Sequence, residues 1–377
     1  MSPSYHIYRL LLFTVVLALA SCSSGLDTAE SDARVPDQVR VDFRMSSLAA
    51  SAYDVDGYDK DNYDPGTGTP FENFIDVESA DGYRIYFFDD DNLRLIQELT
   101  LPKVTVTDIV EGGGHSKHYS VKGSVDGLSR YRDFRVVVLA NWPSYPAVKP
   151  GVTTIDDIVN DAYSLFGLSD GNDFPVSVDN PIPLYGVKRC TGVEMVNFSV
   201  TSLGTVHLLR AVAKIHVNVP ADSRYTIKSA VVYNYNHTGY CAPEGVYEES
   251  DYIHWNYPDD YVHRLHLVED GNALPGASVV MRRVDDRNFI AYLPEYDNTT
   301  GVSPHVSIGV KLNEYIDKEY RFEAKMYDRE GEPYMDLERN NLYRFTIKAV
   351  NPPTSELDVS LDLFPYKIYD LSPGFGQ

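Results

Sequence analysis

The residues best suited to chemistry lie in a short acidic loop. Asp54, Asp56, Asp59 and Asp61 follow one another around Gly57, with Asp64 beyond. Carboxylates spaced in this way offer the oxygen ligands that calcium takes. The order is not that of an EF-hand, because the glycine comes too early and no glutamate closes the loop. The segment reads as a solvated acidic linker, and no metal site is expected. Two histidine pairs, His115-x-x-His118 and His263-x-x-His266, are close in sequence. Neither sits in an HExxH setting or brings a third ligand at fixed spacing, so both read as strand or surface histidines. Carboxylates are abundant, yet nothing singles out a pair for glycosidic cleavage. A nucleophile elbow, a phosphate loop and a dinucleotide fingerprint are all missing. Trp142, Trp255 and the 29 tyrosines could stack on sugars, although Trp142 ends an apolar run and reads as core. The expectation is a chain with no catalytic residue and no cofactor.

The remaining reactive group is a thiol near the start. Arg9 supplies a positive charge, Leu10 to Ala20 is apolar except for Thr14, and Leu19-Ala20-Ser21-Cys22 closes the run. The run is too short to span a bilayer but has the length of a secretory h-region. Its closing residues resemble the lipobox of bacterial lipoproteins. That resemblance implies cleavage between Ser21 and Cys22 and diacylglycerol on the Cys22 sulfur. Each buried methylene of such a lipid contributes about 0.8 kcal/mol, so several long chains hold a soluble domain at a membrane. An ordinary secretory signal with an incidental cysteine is the plainer alternative.

Residues beyond the signal must be positioned by a sizeable fold. The 377-residue chain leaves room for two ordinary domains. With 33 basic against 55 acidic residues its net charge is −22. No nucleic-acid partner is expected, since phosphate binding needs a basic surface. Cys190 and Cys241 are the cysteines left besides Cys22. They read equally as a disulfide of an oxidising compartment or as two free buried thiols. The abundance of tyrosine favours pleated, half-buried surfaces and an all-β fold.

Periodicity fills in the elements. Residues 22–37 read as a polar tether. Val39, Val41, Phe43 and Met45 alternate with Arg40, Asp42 and Arg44, which predicts a strand with one buried face. Tyr83–Phe88 and Leu93–Leu99 read as a hairpin. Val104–Ile109 and His118–Val121 read as weaker strands on either side of a glycine turn. Phe134–Trp142 is apolar enough to be buried on both faces. Thr154–Phe166 is the best helix candidate, with Ile155, Ile158, Val159 and Tyr163 inward. Pro181–Gly186 looks like the end of a first domain, and Val206–Val219 reads as a strand opening the second. In it Ala211, Ala213, Ile215, Val217 and Val219 share one face, and Arg210, Lys214, His216 and Asn218 the other. Many short strands with polar turns predict β-sandwiches.

The last segment mirrors the first. Leu357, Val359, Leu361 and Leu363 alternate with Asp358, Ser360 and Asp362, and after Phe364-Pro365 the apolar phase shifts to Tyr366 and Ile368. Proline cannot donate to a ladder, so a bend or bulge is expected there. Each end of the chain thus carries a strand able to fill one apolar groove. If the first were removed, its groove could take the last strand of another molecule. The plain alternative is that both sit in their own domains.

Several pieces, in order, resemble the fimbrillin-like lipoprotein pilins of the type V pilus of Bacteroides-type bacteria. They are Phe71–Ile75, Arg135–Trp142, Ile182–Gly186, Leu209–Ile215, Tyr292–Tyr296 and Glu338–Phe345. The resemblance implies an all-β fold of two tandem β-sandwich domains, transthyretin-like and of fimbrillin type. Their bounds are residues 38–188 and 189–377, after a signal at 1–21, with 357–371 as the donor-strand candidate. It implies a surface-exposed outer-membrane lipoprotein that assembles with other pilin subunits into a fimbria and meets a host or bacterial surface ligand. In that family a trypsin-like protease cuts after an arginine near the N-terminus. Arg34, Arg40 and Arg44 are the candidates here, Arg44 freeing the first strand most completely, and Lys60 is also reachable. A non-polymerising surface lipoprotein that binds glycan or host protein is the alternative.

Overall fold

The structure is a computed structural model. It describes residues 38–47, 49–50, 74–79, 81–111, 114–168, 180–195, 199–248, 265–268, 278–298, 305–313, 318–324, 336–351 and 356–367. The signal, Ser21, Cys22, Arg34, the acidic loop with Lys60, Trp255, His263 and Ile368 lie outside the described residues.

The chain is nearly all β, as expected. Its elements run β1 (Gln38–Ser47), β2 (Ala49–Ala50), β3 (Tyr83–Asp89), β4 (Leu95–Glu98), β5 (Thr100–Glu111), β6 (Gly114–Asp126), β7 (Phe134–Ala140), α1 (Ile155–Val159), β8 (Leu165–Gly167), β9 (Leu184–Cys190) and β10 (Val200–Arg210). Then come β11 (Ala213–Asn218), β12 (Ile227–Tyr233), β13 (Thr238–Tyr240), β14 (Ser278–Val280), β15 (Arg282–Arg283), β16 (Asn288–Leu293), β17 (Ser307–Leu312), β18 (Tyr320–Glu323), β19 (Asn341–Asn351) and β20 (Glu356–Lys367).

An eight-stranded sheet has the order β4-β3-β7-β9-β10-β1-β6-β5. It curls until β4 meets β6, enclosing Phe43, Phe87, Tyr119, Phe134 and Val136. A six-stranded sheet, β15-β16-β11-β19-β20-β2, packs on a four-stranded one, β14-β12-β17-β18. Between them lie Ile215, Val217, Val232, Phe289, Ile308 and Phe345. A third core joins the two bodies, with Tyr86, Val137, Trp142, Tyr185 and Leu209 meeting Ile290, Tyr292 and Leu342. Strand β7 serves two of these cores, and every one of its residues is buried. This is the physical meaning of its largely apolar run, in which Arg135 is buried through its ion pair with Asp90.

Several elements differ from expectation. The helix ends after Val159, followed by a 3-10 turn at Ala162–Ser164 and then β8. Thr154 and Asp157 form a capping box at its start. Asp161 then accepts from the Ala162 N–H, which begins the next turn and stops the helix. The expected strand Val206–Val219 is two strands, because the chain leaves the first sheet at Ala211-Val212 and enters the second. The sheets therefore change there, downstream of residues 188 and 189, where the expected domain division falls. Pro365 stays in register opposite Asn341, and the irregularity lies instead between Ile347 and Ala349. A proline is tolerated in β20 because β19 is its neighbour along most of its length, with β2 reaching only its last two residues. Cys190 and Cys241 are free and buried in different cores. Burial pushes the Cys241 thiol well above its ordinary range.

The junction between the bodies is polar as well as apolar. Glu295 and Arg339 form an ion pair at 2.7 Å, with side chains 2% and 1% exposed. The same carboxylate accepts the backbone N–H groups of His266 and Arg339. The His266 ring stacks on Tyr240, centroids 3.7 Å apart, with Nδ1 2.8 Å from the Ala242 carbonyl. Burial lowers its pKa, chiefly by penalising the charged ring, and Arg339 adds to the effect. The unfolded chain then binds a proton that the fold refuses, so stability falls as pH drops through about 6.5. We expect this side chain to cost at most ~1.4 kcal/mol per pH unit below that point. Urea unfolding between about pH 8 and pH 5 checks it, since His266→Gln should flatten the slope. Equal slopes for the two proteins would contradict the assignment.

Candidate functional site

Strand β1 occupies a slot in the middle of the first sheet. It pairs antiparallel with β6, from Gln38 opposite Asp126 to Ser46 opposite His118. It pairs parallel with β10, from Arg40 beside Val200 to Ser47 beside Leu208. A bulge in β10 falls between the partners of Asp42 and Arg44, where Gly204 takes φ 75°. Side chains alternate across a strand, so Val39, Val41, Phe43 and Met45 all point inward and are 5%, 0%, 3% and 0% exposed. They pack with Tyr119, Val121 and Val125 of β6 and Leu203, Val206 and Leu208 of β10. Burial of four such side chains contributes about 1.5–3 kcal/mol each. Even ~6 kcal/mol in total leaves β1 out of its slot in only roughly one molecule in ten thousand. The strand stays until something removes it.

The outward face of β1 is charged. Arg40 is exposed, and Asp42 and Arg44 are half-buried. Asp42 lies opposite Lys122 of β6, yet its Oδ1 is buried without a hydrogen-bond partner among the described residues. Such an atom carries a desolvation cost with nothing to offset it. On the other side, the Lys188 ammonium sits 3.5 Å from where a Cβ on Gly204 would stand. Two lysines thus flank the outer rim of the slot. Sequence reasoning missed both, because only strand register puts residues so far apart beside one strand.

The far end of the chain lies elsewhere. β20 pairs antiparallel with β19, Asn351 opposite Glu356 through Asn341 opposite Pro365. Leu357, Val359 and Leu361 are half-buried against the second core. Leu363 and Tyr366 continue the strand opposite Tyr343 and Ala50. Both end strands therefore sit in sheets of their own chain. Ala49 and Ala50 pair with Lys367 and Tyr366, so the stretch holding β1 and β2 reaches from the first sheet to the second.

The other candidates do not form a site. Among the described residues no group of three or more His, Cys, Asp or Glu is arranged to hold a metal ion. His115 and His118 lie on β6, and His266 is buried at the junction. Trp142 is core, 4% exposed, its Nε1–H donating to the Leu184 carbonyl at 3.0 Å.

The sequence pieces that carried the resemblance meet in a chain of hydrogen bonds along the junction. The Asn141 amide donates to the Phe74 and Ile182 carbonyls at 2.7 and 2.8 Å. Ala211 N–H donates to the Pro183 carbonyl, and Asn340 N–H to the Val212 carbonyl, both at 2.9 Å. Asn340 Oδ1 accepts from the Arg210 N–H and guanidinium at 3.1 Å. The neighbouring Arg339 closes the series on Glu295. The bonds of Asn340 with Arg210 and Val212 run from one body to the other, and the rest brace the segments on either side of them.

No family model matches the chain, and no curated protein matches it in sequence. Among solved structures, the tip fimbrial protein Mfa3 of Porphyromonas gingivalis, with a C-terminal truncation, is similar at a TM-score of 0.51 and 13% identity. The match covers 87% of this chain and 100% of that one. A fimbrial assembly protein of Parabacteroides distasonis covers 86% and 100% at 14% identity and a TM-score of 0.42. The fimbrial anchor protein Mfa2 of P. gingivalis covers 87% and 100% at 11% identity and a TM-score of 0.28. At these identities only the Mfa3 likeness carries an argument, and that argument concerns architecture: this chain has the all-β, fimbrillin-like fold of a fimbrial tip protein.

Proposed function

We propose that the chain is a stalk, tip or anchor subunit of a cell-surface fimbria. In this reading it is exported as an outer-membrane lipoprotein on Cys22 and trimmed by proteolysis near its N-terminus. It then joins other subunits through a donated C-terminal strand, acting by assembly and binding rather than turnover. The observation that carries the reading is β1 itself, an N-terminal strand whose four apolar side chains fill a slot with a β-strand neighbour on each side. Leu357, Val359, Leu361 and Leu363 repeat its spacing, so the two strands can fill one slot in turn.

Arg40 and Arg44 lie within β1, paired on both edges. A protease needs unpaired chain, so these bonds are cut only while β1 is out of the sheet. Arg34 precedes the strand, and a cut there leaves it in place. Lys60 lies beyond it, and a cut there removes it whole.

N-terminal sequencing and intact mass of the protein from outer-surface material test the proposal. A start within residues 41–61, without lipid, supports a trimmed, polymerising subunit, whereas a start at residue 35 leaves β1 in its slot. A start at acylated Cys22 retains β1 and supports an anchor, an untrimmed tip or a non-polymerising binder of glycan or host protein. For the polymerising reading, deletion of residues 357–377 is expected to abolish heat-resistant ladders on electrophoresis. Ladders that persist in the deletion would overturn it.

A further inference from the structure

The outer rim of the β1 slot says which strand fits it best. This inference rests on the strand-exchange reading. Placing Leu357, Val359, Leu361 and Leu363 where Val39, Val41, Phe43 and Met45 now lie keeps every apolar position apolar. A shift of two residues one way puts Pro365 in the place of Met45, inside a strand paired on both sides, where a missing N–H is not tolerated. The opposite shift puts Ser355 in the buried place of Val39. For a strand running in the direction of β1, one register remains. In it Asp358 replaces Arg40, Ser360 replaces Asp42 and Asp362 replaces Arg44.

The outward face therefore changes from one net positive charge to two negative ones. It faces Lys122 on β6 and Lys188 above Gly204. Lys122 lies opposite the position of Asp42 and diagonal to those of Arg40 and Arg44, within reach of a long side chain. The resident strand sets an arginine on each side of this lysine, and the incoming strand sets an aspartate on each side. The incoming strand also replaces the partnerless Asp42 Oδ1 with the small hydroxyl of Ser360. We propose that the slot is built to take the C-terminal strand of a second copy of this chain in this single register, and that Lys122 selects it over the resident strand by charge.

Two experiments on the whole chain separate the parts. The first writes the incoming face onto β1 with Arg40→Asp, Asp42→Ser and Arg44→Asp. The melting temperature is expected to rise by about 2–4 °C. The gain should shrink at about 0.5 M salt, where screening is strong, and reverse when Lys122→Glu is added. Lys122 is exposed, so that replacement leaves the fold intact. No gain, or a gain that Lys122→Glu leaves untouched, overturns the charge selection.

The second reads the register in assembled fimbriae. Lys122→Cys with Ser360→Cys should link neighbouring subunits, whereas Lys122→Cys with Asp358→Cys or Asp362→Cys should link them several-fold less. The native Cys190 and Cys241 are buried and stay out of the reaction. Polymers that link preferentially at another pair overturn the register while leaving strand exchange intact. A wild-type protein that never polymerises removes the exchange reading, and this inference with it.

Discussion

Replacing Glu295 with alanine is expected to cost ~3–5 kcal/mol of folding stability, the range for breaking a buried ion pair from one side. The side chain is 2% exposed, and its carboxylate holds the Arg339 guanidinium and two backbone N–H groups. Two further nitrogens of Arg339, Nε and Nη1, already lack partners among the described residues. Without Glu295 the guanidinium is left as an uncompensated charge inside the junction. The loss should register as a lower urea midpoint. Glu295→Gln keeps an acceptor but not the charge, so it should fall between the two. A midpoint within ~0.5 kcal/mol of the native protein would mean that the junction has another support.

Val41→Asp should act at the other end of the molecule, on the order of 4 kcal/mol. Val41 is fully buried between β6 and β10, and a carboxylate there has no counter-charge. The least costly response is for β1 to leave its slot while the rest of the sheet holds. Brief trypsin treatment followed by mass analysis distinguishes this from global unfolding. In the native protein Arg40 and Arg44 are shielded by pairing on both sides. In the variant, cutting at both should rise at least about tenfold with few cuts elsewhere. An unchanged pattern would show that β1 is not the part that yields.

Fold class was legible because it rests on local patterning. The alternation of residues 39–45 predicted the one-faced burial of β1, and the largely apolar run at 134–140 predicted a strand buried on both sides. Long-range coverage was not legible. The alternation of β11 was read as an apolar face and a polar one, and Lys214 and His216 of the polar face are buried as well. Lys214 is 1% and His216 5% exposed. His216 bonds Asn288 and Arg344, and Lys214 lies over the Tyr292 ring. That face is covered by the first body, and only the fold brings it there. The helix was overextended for a related reason. Its apolar spacing continued past Asn160, but capping side chains ended it, and residues 165–167 pair with β13 as a two-stranded ribbon. The pieces that carried the resemblance turn out to be linked by hydrogen bonds beside the point where the chain passes from one body to the other. The β1 slot draws its polar selectors from Lys122 and Lys188, which share no motif.

The pairing of Ala49 and Ala50 with Lys367 and Tyr366 ties the two ends of the chain to each other. One short stretch of backbone fills the slot of the first sheet and lies along the last strand of the second. Were the proposed strand exchange to operate, this tie would be a double safety catch, with the slot filled and the tail held until the stretch is removed. The position of the cut would then decide the outcome. Loss of everything through residue 50 would free both together. A cut after Arg44 would open part of the slot and leave Ala49 and Ala50 on the tail, so under the same proposal such molecules would act as terminators.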